Sequence, residues 1–586
     1  MKKLEKLWTV LKTDKWIHYA ILLIIGIILS IPLFDMMIRY THDGFIHLQR
    51  ISGDYRMLNQ GQFPVMIIDN YCNGDGYNMN VFYSPLVTYI PLLIRLFTST
   101  TVMALKLFGA LCIILSGFTM YQLVYNVTKK RGIALIAGII YLVAPYKLSN
   151  VYMRYAIGEF SALVFLPLVF LGLHNLIYED GKKHYYIAIG AIGLLLCHNI
   201  TTMYTAIFSF IYLILHIRKL QDNEVLKKIG INILFILLCS ALYIVPMLEA
   251  KSYTRYGIFE NYIMATNNEY ASQQALDVIQ FFKDTETSVN AVTFKIGIPT
   301  LILFLSTIYC ARKVDKKLRK TYWIFIAFSL ISLWMCTNLF PWEYVPIILC
   351  KIQYPWRMLG FFIFFSTPVC AINLYILVQR FIKKDWIKLL VCNIVLIILL
   401  LNTIPAYQGF YVNANKTQEN LIADEKYEQI MTSGKPINHF MLNREYLPTA
   451  AVLKQDSYML ERKQKTYILE GEATISNENK NSLTMDITVQ NGKKDTILEF
   501  PFIAYPGYEV IIKTNNSEQK LDAVASENGY LSVKLPEDVE QGEMHIEYKG
   551  SIITKVSYIV SAISVIIFII YIIYQKRKIK KRIAKE

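Results

Sequence analysis

The sequence is poor in the residues that build metal clusters and disulfide frameworks. It contains nine cysteines, an odd number, and no CxxC pair occurs among them. Its nine histidines are scattered along the chain. These features argue against a zinc site and against a disulfide-stapled fold. The sequence also contains no glycine-rich phosphate loop, internal repeat or low-complexity segment, and the missing loop argues against a bound nucleotide.

Charged residues are also sparse, and long apolar runs take their place. Only 18% of the 586 residues are charged, whereas 54% are hydrophobic. The apolar residues form blocks of roughly 15–25, the length of a helix that crosses a bilayer. We therefore predict a polytopic α-helical membrane protein with about twelve spans. The spans are predicted near residues 16–34, 102–126, 132–145, 160–178, 185–198, 202–217, 229–248, 296–311, 322–338, 357–379, 386–404 and 552–574.

The formal net charge of +16 is concentrated in the short connectors between apolar blocks. Examples are Lys129-Lys130-Arg131, Lys383-Lys384 and the tail from Lys576 to Lys585. Such clusters mark cytoplasmic loops, so the charge needs no nucleic-acid partner. We expect a multi-pass protein of the cell membrane, surrounded by lipid, with both termini cytoplasmic and the basic N-terminal segment entering an uncleaved first span.

Residues 406–550 have a different pattern. They are polar, and from about residue 465 they alternate in short runs typical of an antiparallel sandwich. Since the flanking spans have basic inner ends, we expect this segment outside the cell. The predicted domains are 1–405, a membrane domain with external loops 35–85 and 249–293; 406–550, an extracytoplasmic β-sandwich; and 551–586, a final helix with a basic tail. The predicted strands are Lys465–Glu472, Ser482–Gln490, Thr496–Phe502, Glu509–Lys513, Leu531–Leu535 and Met544–Tyr548.

The stretch THDGFIHLQR, residues 41–50, concentrates ionisable groups just after the first apolar run. Asp43, His47, Arg50 and Asp54 are spaced to form one polar stripe on a helix. We predict an amphipathic helix at the outer interface with its apolar side in lipid. The alternative is structural: Asp43 caps the helix with its side chain, and the stripe is merely solvated.

Three further segments place ionisable groups at the predicted outer face. Glu159 follows Arg154 at the entry of a span, where an acid is costly unless it faces a cavity or a partner. His198 and Asn199 lie at a predicted external turn, and Arg357 opens a span after Pro355-Trp356. The alternatives are an ion pair between Glu159 and Arg154, an ordinary turn, and an interfacial anchor.

Acids and arginines that meet at an outer membrane surface suit one chemistry in particular. A sugar carried on a polyprenyl phosphate presents its phosphate at the headgroup level, where a guanidinium can bind it. The acceptor hydroxyl must lose a proton as it attacks the anomeric carbon, which requires a positioned carboxylate. Because no nucleotide loop is present, a lipid-linked donor is favoured over a nucleotide sugar.

Six short motifs in this order carry a family resemblance: HDG (42–44), GYN with FYSPL (76–86), RYAIGE (154–159), HNIT (198–201), QYPWR (353–357) and REYLP (444–448). The run FPFIAYPGYEV at 500–510 also fits. With these motifs the chain resembles bacterial membrane proteins of the GT-C superfamily, in particular the YfhO-like group. It also resembles the group described as pyruvoyl-tetrahydropterin-synthase-related membrane proteins. A zinc-dependent pterin enzyme would need a histidine cluster, which this sequence does not supply.

The resemblance implies a GT-C-like helical bundle with polyprenyl-phosphate-dependent glycosyltransferase activity outside the membrane. Asp43 matches the acid of the superfamily's first external loop, as general base or metal ligand, and Glu159 matches a second acid. His42 stands where the superfamily often has a paired acid, so a divalent metal cofactor is left open. The expected partners are a polyprenyl-phosphate sugar and an envelope glycan or glycolipid acceptor. The candidate substrate-binding residues are His42, His47, Arg50, Tyr77, Asn78, Arg154, His198, Asn199 and Arg357.

Two non-enzymatic functions stay open at the level of sequence. One is a transporter or flippase of a lipid-linked saccharide, which would require charged residues at mid-span or broken helices near the bilayer centre. The other is an inactive envelope scaffold whose external sandwich binds glycan or protein. Because the ionisable residues of the motifs cluster at predicted outer ends, we favour the enzyme.

Overall fold

The computed structural model describes residues 14–260, 267–283, 292–401, 403–404, 406, 424–436, 445–453, 458–459, 461–515 and 517–583. Most of these residues are helical, and a β-sheet domain lies near the C-terminal end. The α-helices are α1 (Lys15–Asp35), α2 (Gly44–Asn59), α3 (Leu86–Arg95), α4 (Thr101–Thr128), α5 (Arg131–Leu142), α6 (Pro145–Tyr152), α7 (Ile157–Tyr178), α8 (Tyr186–Leu195), α9 (Asn199–Ile214), α10 (Ile217–Leu220), α11 (Asn223–Cys239), α12 (Ala241–Tyr253), α13 (Asn268–Gln273), α14 (Ile298–Leu305), α15 (Thr307–Cys310), α16 (Arg319–Met335), α17 (Ile347–Cys350), α18 (Leu359–Phe381), α19 (Asp385–Leu401), α20 (Asp424–Thr432), α21 (Thr449–Leu453) and α22 (Ile552–Ile583).

Five helical segments of the described chain are long and apolar enough to cross a membrane: Lys15–Asp35, Thr101–Thr128, Ile157–Tyr178, Pro355–Phe381 and Ile552–Lys581. Two bent pairs raise this number to seven if each pair is one span. One is α5 with α6, bent by 44°, and the other is α11 with α12, bent by 64°. Helices α3, α8 and α9 are apolar but shorter. A count of twelve spans stays a prediction.

Helix α7 lies at the centre of the bundle and is almost entirely buried. It packs closely against α8 because glycines remove the side chains between the two backbones. A Cβ atom at Gly190 would lie 2.6 Å from the amide nitrogen of Val169, and one at Gly172 would lie 2.3 Å from that of Ile187. Small residues at helix contacts are the usual way for apolar helices to approach each other in a membrane. This packing holds the N-terminal end of α7, where Glu159 lies, in a fixed position.

The β domain consists of two antiparallel sheets. One has the strand order β1-β4-β8-β7 and the other the order β2-β3-β9-β5-β6. Burial alternates along β3, where Met485, Ile487 and Val489 point into the core. This alternation is the expected signature of a sheet with one covered face. The strands are β1 (Tyr467–Glu470), β2 (Thr474–Asn481), β3 (Thr484–Gly492), β4 (Ile497–Ile503), β5 (Tyr508–Thr514), β6 (Glu518–Leu521), β7 (Val524–Ala525), β8 (Tyr530–Lys534) and β9 (Val539–Tyr548).

The segment that follows α2 packs against this β domain through buried polar contacts. Asp75 is fully buried, and its carboxylate accepts hydrogen bonds from Gln464 (2.6 Å) and Tyr530 (2.9 Å). Lys480 donates to the Gly74 carbonyl at 2.7 Å and lies 3.7 Å from Asp75. Burial raises the pKa of Asp75 and lowers that of Lys480 to about 8. The β domain therefore forms one wall against the chain that carries α2.

Helix α20 supports the other side of this region. The carboxylate of Glu428 accepts hydrogen bonds from the backbone N–H of Thr101 at 2.7 Å, at the first residue of α4. Asp424 accepts one from the N–H of Ile38 at 2.7 Å, five residues before Asp43. Acidic side chains are favoured at free N–H groups of a helix N-terminus. Together, α20 and the β domain fix both ends of the segment from residue 38 to residue 84.

Candidate functional site

Asp43 lies directly before α2 and is partly exposed. Its side chain makes no capping hydrogen bond; the Thr41 hydroxyl oxygen accepts from the N–H of Gly44 instead, at 3.1 Å. The interpretation of Asp43 as a side-chain cap is therefore wrong. Of its side-chain surface, 39% is exposed, against 6% for Glu159. Asp43 is thus the acid of this pair that a substrate can reach.

The segment Met153–Arg154 holds Asp43 and His42 by their backbone. The N–H of Asp43 donates to the Arg154 carbonyl at 2.8 Å, and the N–H of His42 donates to the Met153 carbonyl at 3.2 Å. The Arg154 guanidinium then lies 3.5 Å from the Asp43 carboxylate and donates to Glu159 at 2.7 Å. Burial acts to lower the pKa of Arg154, but the two carboxylates outweigh it and raise the pKa. Two segments far apart in sequence therefore meet at one guanidinium.

Glu159 is buried in the first turn of α7, and its hydrogen bonds come from the protein itself. The Tyr146 hydroxyl donates to it at 2.6 Å, Asn150 at 2.8 Å, and Arg154 at 2.7 Å. The Nε atom of Arg357 lies 3.7 Å away. A carboxylate with this many donors has little capacity left to accept a substrate proton. The ion pair with Arg154 is present, and Glu159 orients the two arginines.

Arg357 completes the group on the short turn Pro355–Met358 before α18. Its Nη1 donates to the Ile352 carbonyl and to the Gln353 side chain, each at 2.9 Å. The ring of the neighbouring Trp356 lies 4.7 Å from the Arg154 guanidinium carbon. Such cation–π contact stabilises a guanidinium at low hydration. The structure thus brings together four predicted residues: Asp43, Arg154, Glu159 and Arg357.

His198 and Asn199 are committed to local structure. His198 precedes α9, and its Nδ1 accepts from the N–H of Thr201 at 3.3 Å, so it caps that helix. Its ring packs on the first turn of α7, where a Cβ at Gly158 would lie 3.0 Å from the ring. Asn199 donates to the Tyr243 hydroxyl at 2.5 Å. His198 therefore supports the backbone beside Glu159, and its cap leaves only its second ring nitrogen for other contacts.

The polar stripe of α2 is buried inside the protein. His47, Arg50 and Asp54 are exposed by 2%, 1% and 0%. Leu48 and Ile51 on the other face are also fully buried. The prediction of an amphipathic helix with its apolar side in lipid is therefore wrong for these residues, and so is the prediction of a solvated stripe. The physical reason is that protein covers α2 on both faces, including the Tyr83 ring and α20.

Tyr83 connects this buried stripe to the group around Asp43. Its ring lies 3.9 Å from the guanidinium carbon of Arg50, and its hydroxyl lies 3.4 Å from Nε2 of His47. Burial raises the pKa of Tyr83 to about 12, a value on which Arg50, Asp43 and Arg357 also act. Burial and the nearby Arg50 hold the pKa of His47 well below its usual range, so its imidazole is neutral. Tyr83 therefore lies between the two clusters.

Asp54 ends the stripe in an unusual environment. Asn80 donates to one of its carboxylate oxygens at 2.6 Å, and its other oxygen has no hydrogen-bond partner among the described residues. Burial raises the pKa of Asp54 to about 7, against the opposing effects of Arg50 and Asn80. A narrow cleft adjoins it, lined by Asp54, Val65, Asn80, Tyr83, Pro85, Thr88, Tyr89 and Tyr558.

Tyr77 and Asn78 contact the β-domain side of the chain. The Tyr77 ring packs against Tyr71 and Tyr446, and the N–H of Asn78 donates to the Tyr505 hydroxyl at 3.3 Å. Both residues are buried. In the described part of the chain, none of their hydrogen bonds or ring contacts is with Asp43, Arg154 or Glu159, so the structure does not bring them to that group. His42 is exposed beside Asp43.

The donor set around Asp43 does not fit a divalent metal. Arg154 lies between the two carboxylates, and Arg357 adds a second positive charge beside them. Among the residues that the structure describes, no three His, Cys, Asp or Glu side chains converge as metal ligands would. Hard divalent cations require several oxygen ligands, and two guanidinium groups oppose such a charge. The site chemistry below is therefore derived from the side chains alone.

Sequence reasoning missed Tyr146, Asn150 and Tyr83 as parts of the site. Tyr146 and Asn150 were detectable in principle, because Tyr146, Asn150 and Arg154 follow one another at intervals of four residues, the spacing of one helix face. Tyr83 lies in the FYSPL motif, but its position between two clusters depends on tertiary packing. The sequence also gave no signal for Lys147, which is buried in α6 and hydrogen-bonded to Ser116.

Comparison with known proteins identifies the family. Residues 81–409 match the family described as "6-pyruvoyl-tetrahydropterin synthase related domain; membrane protein". The chain belongs to this family of membrane proteins. The matched region includes the segments that carry Arg154, Glu159 and Arg357, whereas Asp43 precedes it.

Other proteins resemble the chain more distantly. An uncharacterized protein of Lactococcus lactis subsp. cremoris is 25% identical over 631 residues, covering 100% of both chains. The arabinofuranosyltransferase AftD from Mycobacteria is 13% identical with a TM-score of 0.44, over 68% of this chain and 27% of that one. The oligosaccharyltransferase AglB from Archaeoglobus fulgidus is 10% identical with a TM-score of 0.36, over 74% and 61%. The chain thus spans about a quarter of AftD and less than two thirds of AglB.

Proposed function

We propose that the protein is a membrane glycosyltransferase that moves a sugar from a polyprenyl-phosphate donor to an extracytoplasmic acceptor of the cell envelope, with Asp43 as the general base. One observation carries this proposal: Asp43 is a partly exposed carboxylate at the edge of a buried group of arginines. Transfer from a lipid phosphate needs both a proton acceptor and cations for the leaving phosphate. The GT-C resemblance of the motifs points to the same reaction.

The two acids have different roles in this reaction. Glu159 is saturated by Tyr146, Asn150 and Arg154, so its role is to position Arg154 and Arg357. Asp43 shares Arg154 but keeps 39% of its side-chain surface free. A base must reach the hydroxyl whose proton it takes. This requirement assigns the proton to Asp43 and the orientation of the arginines to Glu159.

In this reaction one proton is transferred, one bond forms and one bond breaks. The acceptor hydroxyl gives its proton to the Asp43 carboxylate while its oxygen forms a bond with the anomeric carbon. The bond between that carbon and the phosphate oxygen breaks, and the electron pair leaves with the polyprenyl phosphate. Guanidinium groups near the site stabilise the charge that develops on the phosphate. For this reaction the site must face the outside, with both termini of the chain in the cytoplasm.

The test compares matched variants in membranes at equal protein abundance. Radiolabelled polyprenyl-phosphate sugars are supplied, and label in envelope material is measured with and without a chelator. We expect Asp43→Asn to reduce transfer by a factor of 10² or more. The control is Asp35→Asn, an exposed acid at the end of α1, which should retain transfer. Full transfer by Asp43→Asn would show that Asp43 is not the base, and an absence of transfer by the wild type would contradict the proposal.

One observation favours a second candidate function, the transport of a lipid-linked saccharide. Lys147 is buried in α6, just after the 44° bend between α5 and α6. A buried cation at a broken helix is what a transporter would require. However, Lys147 is hydrogen-bonded to Ser116 and to the Tyr141 carbonyl, so its charge has partners within the protein. Transport assays with lipid-linked saccharide in liposomes separate the two functions.

A further inference from the structure

The three arginines near the site differ in how many of their donors are used. Arg154 donates to Asn150 and Glu159 and lies 3.5 Å from Asp43. Arg357 donates to a carbonyl and an amide oxygen and lies beside Glu159. These two guanidinium groups have anionic partners within the protein. The third arginine, Arg50, does not follow this pattern.

Arg50 is a buried cation without a hydrogen-bond partner. All three of its guanidinium nitrogens are buried, and none of them bonds to any residue in the described part of the chain. The Arg50 side chain lies over the Tyr83 ring at 3.9 Å, an orientation that leaves its N–H edge free. Asp54 follows one helical turn later but forms no ion pair with it within the described structure. An unpaired buried charge costs several kcal/mol, so this arrangement is costly unless an anion binds there.

A narrow cleft lies beside Tyr83, the ring that packs on Arg50. Tyr83 and Asp54 line it, together with Tyr89 of α3 and Tyr558 of α22. The hydroxyls of Tyr89 and Tyr558 are 3.2 Å apart. Phe63, which is 65% exposed, lies beside both of these tyrosine rings.

The two helices that border the cleft, α3 and α22, carry exposed apolar side chains. Leu93, Leu96 and Phe97, in and just after α3, are exposed by 60%, 69% and 88%. Ile552 and Val556 near the start of α22 are exposed by 79% and 50%, and α22 is one of the helices that can cross a membrane. Exposed apolar helix faces of this kind are covered by lipid in a membrane protein. The cleft therefore lies next to helices whose surfaces suit lipid, and Tyr83 is the residue that contacts both the cleft and Arg50.

We propose that Arg50 is the residue that binds the donor's phosphate. This inference rests on the proposed function and specifies which of three arginines receives the leaving phosphate. A guanidinium with free N–H groups binds phosphate oxygens in a bidentate manner. Arg50 lies in α2, seven residues after Asp43, and the Tyr83 ring packs on its guanidinium. Arg154 and Arg357 act on Asp43 and Glu159.

Asp54 is the group that opposes this assignment. Its carboxylate lines the same cleft and would repel a phosphate when it is ionised. Asn80 bonds one of its oxygens, and Arg50 is its nearest cation on α2. Binding of the phosphate therefore favours a protonated Asp54. Asp54→Asn should bind the lipid phosphate at least as tightly as the wild type does.

The experiment measures lipid binding directly, without transfer. Full-length protein is reconstituted in phosphatidylcholine nanodiscs and titrated with undecaprenyl phosphate, and binding is followed by native mass spectrometry and by the shift in thermal unfolding. We expect Arg50→Gln to weaken binding about tenfold or more, and Arg50→Lys to weaken it less, because the charge is kept and the bidentate fork is lost. The comparison variant Arg218→Gln, which removes an exposed arginine of α10, should retain binding.

Thermal unfolding without lipid gives a second readout and tests folding. Because removal of an unpaired buried charge relieves its desolvation cost, we expect Arg50→Met to unfold at a higher temperature than the wild type. We also expect undecaprenyl phosphate to stabilise the wild type but not this variant. A lower unfolding temperature for Arg50→Met would show that Arg50 is a structural partner of the protein and would overturn the assignment.

The remaining outcomes separate this inference from the proposed function. If undecaprenyl phosphate binds the wild type and Arg50→Gln equally, Arg50 is not the phosphate ligand, although the transferase is unaffected. If phosphatidic acid binds as well as undecaprenyl phosphate while uncharged undecaprenol does not, the site recognises any lipid phosphate and the donor assignment is wrong. If no lipid phosphate binds the wild type, both proposals are contradicted.

Discussion

At the scale of single residues, the two acids of the site differ in the number of their partners. Glu159 is surrounded by donors in the first turn of α7, whereas Asp43 shares one arginine at a partly open edge. The buried acid is needed to keep two guanidinium groups compatible with burial. The open acid is the one proposed to act as the base. Substitution of each acid therefore has a different consequence.

We expect Glu159→Gln to destabilise the folded protein. Removal of one partner from a buried ion pair leaves the other charge uncompensated and typically costs about 3–5 kcal/mol. Here Arg357 loses its anionic partner, and Arg154 keeps only Asp43, 3.5 Å away. The variant should show low abundance in membranes and a reduced unfolding temperature. Asp43→Asn is the matched variant and should match the wild type in both. Normal abundance of Glu159→Gln would contradict a role for Glu159 in holding the arginines.

The raised pKa of Asp54 predicts how the stability of the folded protein depends on pH. Its pKa of about 7 in the folded protein lies well above the ordinary value of an aspartate, about 3.9, so between these values the folded state holds a proton that the unfolded state has released. Stability therefore falls as the pH rises from about 4 to about 7 and stays lower above that range. Asp54→Asn removes this effect. The unfolding temperature of the variant minus that of the wild type should increase by a few degrees from pH 5 to pH 8.

The control for this measurement is Asp495→Asn, which changes an exposed acid in the β domain. Its difference from the wild type should stay constant over the same pH range. Contributions from the other titratable groups, including the neighbouring His47 and Arg50, cancel in each difference if they are unchanged. A flat curve for Asp54→Asn would show that Asp54 is ionised at pH 7 in the folded protein.

At the residue level, several of the predicted site residues lie close together in the structure. The motifs RYAIGE and QYPWR identified Arg154, Glu159 and Arg357, and the structure brings these residues together with Asp43. Tyr77 and Asn78 were predicted from an equally polar loop, but the β domain covers that loop. Nothing in a local pattern distinguishes a loop that faces a site from one that faces another domain, because the distinction depends on long-range packing.

At the scale of elements, α20 illustrates how a helix can be stabilised from outside. Glu428 accepts hydrogen bonds from the free N–H groups of Thr101 and Val102 at the start of α4. We expect Glu428→Gln to cost about 1 kcal/mol, since the amide accepts more weakly and carries no charge at the helix dipole. A lowered unfolding temperature of the variant would report this loss of stability. Glu425→Gln on the exposed side of α20 is the control, and equal shifts for both would exclude a capping role.

The strands show what an alternation pattern can and cannot reveal. Six predicted strands lie within a few residues of β1, β3, β4, β5, β8 and β9. Strand β2 was missed, because its pairing with β3 is interrupted by a bulge between Ser476 and Asn479 and most of its side chains are exposed. Without a buried face there is no hydrophobic alternation to detect. The same reason hides β6 and β7, which are short and mostly exposed.

At the scale of the whole molecule, the sequence predicted a membrane domain and an external domain joined in series. The described structure adds that the two are connected by buried charge. Asp75, Lys480 and Gln464 form one network across the contact, and Arg462 forms a buried pair with Glu499 just behind it. Such networks specify one arrangement of two surfaces when every member has its partner. The position of α2, and with it Asp43 and Arg50, therefore depends on the β domain.

We expect Asp75→Ala to loosen this contact at a distance from the site. The substitution leaves Lys480 buried with one partner fewer and removes an acceptor from Tyr530 and Gln464. Amide hydrogen exchange should increase across residues 69–78 and along β4, measured by mass spectrometry on the full-length protein in nanodiscs. Asp495→Ala, which removes an exposed pair with Lys534 on the same domain, is the control. If exchange rises only in the β domain, the network stabilises that domain alone; if it also rises in α2, the β domain positions the residues proposed to bind the donor.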